Sequence, residues 1–74
     1  MESTFNLDFA SNLMTYRKRQ KISQGKLARM VGVSRQTISN WERGDMHPDV
    51  LYFVKLAEAL NITVNDLVRG RGVA

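Results

Sequence analysis

The feature that most constrains the fold of this chain is a very short link between two amphipathic helical segments. Apolar residues recur at helical spacing on both sides of the link. Gly32 can adopt a positive φ and end the first helix, and Ser34, after one apolar residue, can cap the second. A link this short does not allow the antiparallel hairpin of a helical bundle, so the two helices are expected to cross steeply.

Steep crossing requires a small side chain where the two helices touch and apolar side chains around that point. Ala28 supplies the small side chain. The apolar residues around it are Leu27, Val31, Val33, Ile38 and Trp41. Because the glycine, the cap and the apolar positions all agree, the sequence predicts a helix-turn-helix spanning Gln24 to Arg43.

Three further helices are predicted around this motif. Helix 1 is expected to begin after Asp8, which can cap it, and to turn Phe9, Leu13 and Tyr16 inward. Helix 4 is predicted from Val50 to Leu60, where apolar residues again recur at helical spacing. The pattern indicates a compact all-α fold.

A short helix 5 near the end of the chain can be capped by either Thr63 or Asn65. Residues 1–7 show no period and are predicted to be a flexible N-terminal arm, and the Gly-rich residues 70–74 a flexible tail. Residues 8–69 then form one helix-turn-helix domain.

The size and composition of the chain exclude several functions. With 74 residues, no Cys and one His, it has no room for a second core or a deep catalytic cleft. We therefore expect no enzyme activity, no catalytic residues, no metal and no cofactor. There is no apolar run of transmembrane length and no signal-peptide pattern, so a cytoplasmic protein is expected.

Positive charge is concentrated in one part of the sequence. From Arg17 to Arg43 there are eight basic residues and one acid, whereas the remaining segments hold three basic residues and six acids. A basic segment of this kind favours a polyanionic partner, although a solvated basic face is an equally simple interpretation. Lys26 and Arg29 on helix 2 are candidates for contacts with phosphates.

Helix 3 has a polar outer face when drawn on a helical wheel. Ile38 and Trp41 point inward on the wheel. The outer side carries Arg35, Gln36, Thr37, Ser39, Asn40 and Arg43. Amide, hydroxyl and guanidinium groups without an acid suit the edges of bases in the major groove. The alternative is that any surface helix shows a polar face.

The segment as a whole resembles the helix-turn-helix of the Cro and phage-repressor type, also called the XRE family. The residues that carry the resemblance are Gln24-Gly25-Lys26-Leu27-Ala28, Val31-Gly32-Val33-Ser34 and Ile38-Ser39-Asn40-Trp41-Glu42-Arg43-Gly44. The resemblance covers roughly Phe9 to Arg69. It implies a compact five-helix domain of the lambda-repressor-like type in which helix 3 enters the major groove of duplex DNA.

The resemblance also implies roles for individual residues. The expected base contacts are Arg35, Gln36, Thr37, Ser39 and Asn40. Gln24 is expected to contact the DNA backbone and to brace helix 3, and Arg43 is expected to meet a phosphate. Arg17 and Glu42 are expected to form a structural pair, which would neutralise the one acid within the basic segment.

These expectations lead to a sequence-specific transcriptional regulator, most simply a repressor that binds DNA as a homodimer. The alternative is an antitoxin or adaptor whose main partner is another protein. Helix 4 bears on this choice because Leu51, Tyr52 and Val54 are more apolar than its core face requires. They are either a subunit interface or additional core.

Overall fold

The computed structural model describes residues 4–69 and confirms the predicted all-α fold. The five helices are α1 (Thr4–Arg19), α2 (Gln24–Val31), α3 (Arg35–Arg43), α4 (Val50–Leu60) and α5 (Val64–Arg69). No helix within residues 4–69 is long and apolar enough to cross a membrane. The boundaries of α2, α3 and α4 agree with those read from the sequence.

The middle helices begin where a side chain accepts a hydrogen bond from the main chain three residues later. Ser23, Ser34 and Asp49 have extended backbones and cap α2, α3 and α4 in this way. At the other end, Gly32 stops α2 with φ of 83°, in the left-handed region that favours glycine. Thr63, and not Asn65, caps α5, because its Oγ1 accepts from the Asp66 main-chain N–H at 2.9 Å.

The core lies between the helices and contains the apolar residues that the sequence pattern turned inward. Its fully buried large side chains are Phe9, Leu13, Leu27, Ile38, Leu56, Leu60 and Leu67. Ala28, the small residue predicted to lie where α2 and α3 cross, is 3% exposed. Trp41 is 4% exposed and closes the core from the α3 side.

Helix α1 begins earlier than predicted. It starts at Thr4 instead of after Asp8, so the part of the predicted flexible arm from Thr4 to Leu7 is helical. This part contains neither Pro nor Gly, so nothing in its backbone stops the helix from extending past Asp8. Residues 1–3 of the predicted arm, and the predicted tail at residues 70–74, lie outside the described residues.

The apolar side chains of α4 divide between core and surface. Tyr52 is half-buried, and its ring centroid lies 5.7 Å from that of Trp41, so this residue is additional core. Leu51 and Val54 are 58% and 39% exposed. Together with Val50, which is 78% exposed, they leave an apolar strip on the outer side of α4.

Candidate nucleic-acid interface

Helix α3 is fixed from its inner side, which leaves its outer side available. Ile38 is fully buried and Trp41 nearly so, whereas Arg35 and Gln36 on the opposite side are exposed. The Ser34 Oγ accepts from the main-chain N–H of Thr37 at 3.1 Å and fixes the start of the helix. The outer side is therefore presented by a helix held at its first turn and along its inner face.

A buried ion pair joins α3 to α1. The Arg17 Nε donates to Glu42 Oε2 at 2.6 Å, and its Nη2 donates to Glu42 Oε1 at 3.1 Å. The Arg17 Nη1 donates to the main-chain oxygen of Ile22, at the entry to α2. These are the two residues expected to form a structural pair, and their two-point contact neutralises the carboxylate at the back of α3.

Gln24 connects this buried pair with the exposed start of α3. Its Nε2 donates to Glu42 Oε1 at 3.0 Å, and its Oε1 lies 3.5 Å from the Arg35 Nη1, a long contact. The expected bracing of α3 by Gln24 is therefore visible in its side-chain contacts. Its expected contact with the DNA backbone stays a prediction.

The outer face of α3 carries a connected set of hydrogen bonds, which we name the outer-face network: Gln36, Ser39, Asn40, Arg43 and Asp45. The Gln36 Nε2 donates to Asn40 Oδ1 at 3.0 Å. The Arg43 Nη2 donates to the same Asn40 oxygen at 2.6 Å, and its Nη1 donates to Ser39 Oγ at 2.6 Å. The Arg43 Nε donates to Asp45 Oδ2 at 2.9 Å. Four of the predicted contact residues are therefore brought together by side-chain bonds.

Thr37 is placed differently from the other predicted base contacts. Its Oγ1 lies 2.9 Å from Ser34 Oγ, at the cap of α3, and its side chain is half-buried. This hydroxyl is outside the outer-face network and lies at the helix end, where a phosphate or the edge of a base could approach it.

The predicted backbone contacts on α2 lie beside the start of α3. Lys26 and Arg29 are exposed. A methyl group placed on Gly25 would lie 3.8 Å from both Arg29 Nη1 and Arg35 Cδ, so the two arginines converge near this glycine. Two guanidinium groups near the first turn of a helix create a positive region suited to an anion.

Two members of this surface were missed by sequence reasoning. Asp45 binds Arg43, and the Met46 Sδ lies 3.6 Å from Asn40 Nδ2. Both follow Gly44, whose φ of 80° turns the chain back beside the outer face of α3. The sequence signal that could have found Asp45 is an acid directly after Gly44, which ends α3, and two residues from the basic Arg43.

The assembled surface suits reading of a duplex. Amides, hydroxyls and guanidinium groups on one exposed helix can donate to and accept from the edges of bases, and flanking cations can bind phosphates. Asp45 is the acid in the outer-face network, and Arg43 balances its charge. Both side chains are exposed, Asp45 to 58% and Arg43 to 53%.

Comparison with known proteins agrees with this geometry and confirms the resemblance seen in the sequence. A family model described as helix-turn-helix matches residues 13–67. The repressor protein C2 of Salmonella phage P22 is 41% identical over 54 residues, which are 73% of this chain and 25% of the repressor. The chain thus spans a quarter of the length of that relative.

Two further comparisons cover most of the other protein. The uncharacterized HTH-type transcriptional regulator YgzD of Bacillus subtilis (strain 168) is 39% identical over 51 residues, 69% of this chain and 77% of YgzD. The crystal structure of the P22 c2 repressor in complex with a synthetic operator matches with a TM-score of 0.80 and 35% identity. That match covers 84% of this chain and 94% of the other.

Proposed function

The chain belongs to the helix-turn-helix family, and on that premise we propose that it is a sequence-specific regulator of transcription that binds duplex DNA through α3. The observation that carries this proposal is the contrast between the two sides of α3. The buried Ile38 and Trp41 hold the helix in the domain, and its exposed outer side carries hydrogen-bonding groups of the kind that read base edges.

Repression is the outcome we propose. It is supported by the similarity to the P22 repressor, whose DNA complex contains a synthetic operator. A small DNA-binding domain can repress simply by occupying a site that another protein needs. We propose that the protein binds DNA and catalyses no reaction. We place it in the cytoplasm, where it would meet the DNA of a bacterial or phage-type system.

The contact residues divide into two groups. We propose that base edges are read from Arg35, Gln36, Thr37, Ser39 and Asn40. Gln24, Lys26, Arg29 and Arg43 would contact the DNA backbone. The exposure of Lys26 and Arg29 and the convergence of Arg29 with Arg35 support the second group, because phosphate contacts supply most of the salt-sensitive affinity for DNA.

We further propose that the protein binds as a homodimer. The apolar strip of Val50, Leu51 and Val54 on α4 supports this, since exposed apolar residues grouped on one helix favour an interface. A two-fold dimer would place two copies of α3 in successive major grooves, about 34 Å apart. The operator would then be approximately palindromic.

Selection of bound duplexes from a random library tests this function. We expect enrichment of one motif with two inverted half-sites whose centres are about one helical turn, 10 to 10.5 base pairs, apart. A variant with Gln36→Ala and Asn40→Ala should fold normally, because neither side chain belongs to the buried core, and should enrich no motif or a weaker one. A single half-site would contradict the dimer, and no enrichment by the unmodified protein would contradict DNA reading and favour a protein partner.

A further inference from the structure

The outer-face network converges on Asn40, from the α3–α4 loop on one side and from Gln36 on the other. Asp45 accepts from Arg43, Arg43 donates to Asn40, and Gln36 also donates to Asn40. Asn40 Oδ1 therefore receives two hydrogen bonds, at 3.0 Å from Gln36 and 2.6 Å from Arg43. An amide oxygen has two lone pairs, so the acceptor capacity of Asn40 is used in full.

This occupancy limits what Asn40 can do in the major groove. To bind adenine at two points, an amide must accept from N6 with its oxygen and donate to N7 with its nitrogen. The Asn40 oxygen is already saturated, and its Nδ2 is turned toward Met46 Sδ at 3.6 Å. Asn40 cannot read adenine in this way without breaking its bonds to Gln36 and Arg43.

Gln36 keeps both an acceptor and a donor for a base. Its Nε2 has two N–H groups, of which one is donated to Asn40, and its Oε1 is the remaining acceptor. The bond to Asn40 also determines which end of the amide is nitrogen in this orientation. Gln36 is exposed, so its oxygen and its second N–H can face a base.

We propose that Asn40, Arg43 and Asp45 are positioning residues that orient the amide of Gln36 for adenine. The inference rests on the proposed function, since it assumes that α3 reads a duplex. Asn40 then supports a base contact instead of making one, and Asp45, which lies outside α3, takes part in sequence discrimination.

The role of Asp45 follows from the hydrogen bonds of Arg43. A guanidinium group has five N–H donors, and the network uses one on each of its three nitrogens, for Asp45, Ser39 and Asn40. Two N–H groups remain for a phosphate. Without the carboxylate, the Arg43 side chain is free to turn toward the DNA backbone, and Asn40, which holds Gln36, loses one of its two donors. An amide that is not held in advance must be ordered on binding, and base discrimination falls.

Paired substitutions of Asn40 separate a positioning role from a reading role. Asn40→Asp keeps the acceptor and removes the N–H donors, whereas Asn40→Leu removes both at similar size. Binding is measured by fluorescence anisotropy on the duplex selected from the random library and on duplexes in which one A·T pair is changed to G·C. The pair read by Gln36 is the one whose change no longer matters in Gln36→Ala.

At that pair we expect Asn40→Asp to keep the A·T preference of the unmodified protein within about twofold, while its added charge weakens binding to every duplex. Asn40→Leu should reduce the preference about tenfold, the lower range for loss of a two-point base contact. Asp45→Asn should reduce the preference several-fold and bind random duplex as tightly or more tightly. Glu58→Gln is the charge-matched control, since Glu58 is an exposed α4 residue beside Met30 and Lys55 and outside the network, and it should leave the preference unchanged.

Equal loss of preference in Asn40→Asp and Asn40→Leu would overturn the inference, because Asn40 itself would then read the base. An unchanged preference in Asp45→Asn would overturn the part assigned to Asp45. If the unmodified protein prefers no duplex, the proposed function fails as well. A separate measurement on the protein without DNA distinguishes these failures: in NMR spectra the Gln36 side-chain amide signals should shift in Asn40→Leu and not in Glu58→Gln. Unshifted signals would show that the network does not form.

Discussion

Two arginine–carboxylate pairs of this domain have the same chemistry and opposite surroundings. The side chains of Arg17 and Glu42 are 10% and 1% exposed, whereas those of Arg43 and Asp45 are 53% and 58% exposed. Loss of one partner from a buried pair leaves a charge that water cannot reach. Loss of one partner from an exposed pair leaves a hydrated side chain and changes stability little.

The two pairs therefore predict different effects of removing a carboxylate charge. Glu42→Gln should lower the free energy of unfolding by about 3 kcal/mol, because Arg17 remains buried with an uncharged partner. Asp45→Asn, the matched exposed variant, should change it by no more than about 0.5 kcal/mol. Urea unfolding followed by the fluorescence of Trp41, the one tryptophan, measures both. Equal losses in the two variants would contradict this account of the buried pair.

For single residues, the sequence predicted which side chains are buried better than which side chains they bind. The inward positions of Ile38 and Trp41 followed from helical spacing, and both are buried. The pairing of Arg17 with Glu42 was available only from the resemblance, since the two residues are far apart in the chain. The contact of Arg43 with Asp45 depends on the turn at Gly44 and on side-chain rotamers, which no periodicity encodes.

The elements of the fold depend on how each helix is stopped. Gly32 ends α2 with a positive φ, and its amide N–H donates to the Ala28 oxygen at 2.8 Å. Gly25, by contrast, lies inside α2, where a Cβ would meet other atoms at an ordinary distance of 3.8 Å. One glycine is required by the backbone and the other costs helix stability.

Alanine at these two positions should change stability in opposite directions. Gly32→Ala should destabilise the domain by about 1 to 2 kcal/mol, because a side chain is strained at this φ and the turn between α2 and α3 depends on it. Gly25→Ala should stabilise the domain by about 0.5 to 1 kcal/mol through helix propensity. Thermal unfolding followed by circular dichroism tests both, and a stabilised Gly32→Ala variant would contradict the assigned role of this turn.

Helix boundaries were predictable where the sequence contains a specific stop or start. Ser34, Gly32 and Gly44 gave the correct bounds of the helix-turn-helix, because a cap and a left-handed residue leave little choice. The start of α1 was wrong because Asp8 can cap a helix but does not prevent one from extending further toward the N-terminus. A permissive signal without a breaker leaves the boundary undetermined.

For the whole molecule, the fold was predictable because several levels of the sequence agree. Helical periodicity, caps, a small residue at the crossing and the basic segment all indicate the same small domain. The relation between two molecules is different. The apolar strip on α4 is visible in the sequence as surplus hydrophobicity, but its division into core and surface needed the position of Tyr52 beside Trp41. The symmetry of the proposed dimer and the spacing of its operator depend on contacts between two molecules. The periodicity of one chain does not specify them.

We expect α3 to read bases while cations beside it bind the DNA backbone, and one titration tests both parts. The unmodified protein, Gln36→Ala and Lys26→Ala are each titrated with the selected duplex and with random duplex at several salt concentrations. Both side chains are exposed, so neither change should unfold the domain. The two variants differ in the kind of contact they are expected to remove.

We predict that affinity for both duplexes falls linearly with salt on logarithmic axes. Gln36→Ala should cost about 1 to 3 kcal/mol on the selected duplex and much less on random duplex. Lys26→Ala should weaken both alike and reduce the salt slope by about one. Affinity that does not depend on salt, or equal losses for Gln36→Ala on the two duplexes, would contradict this division of roles.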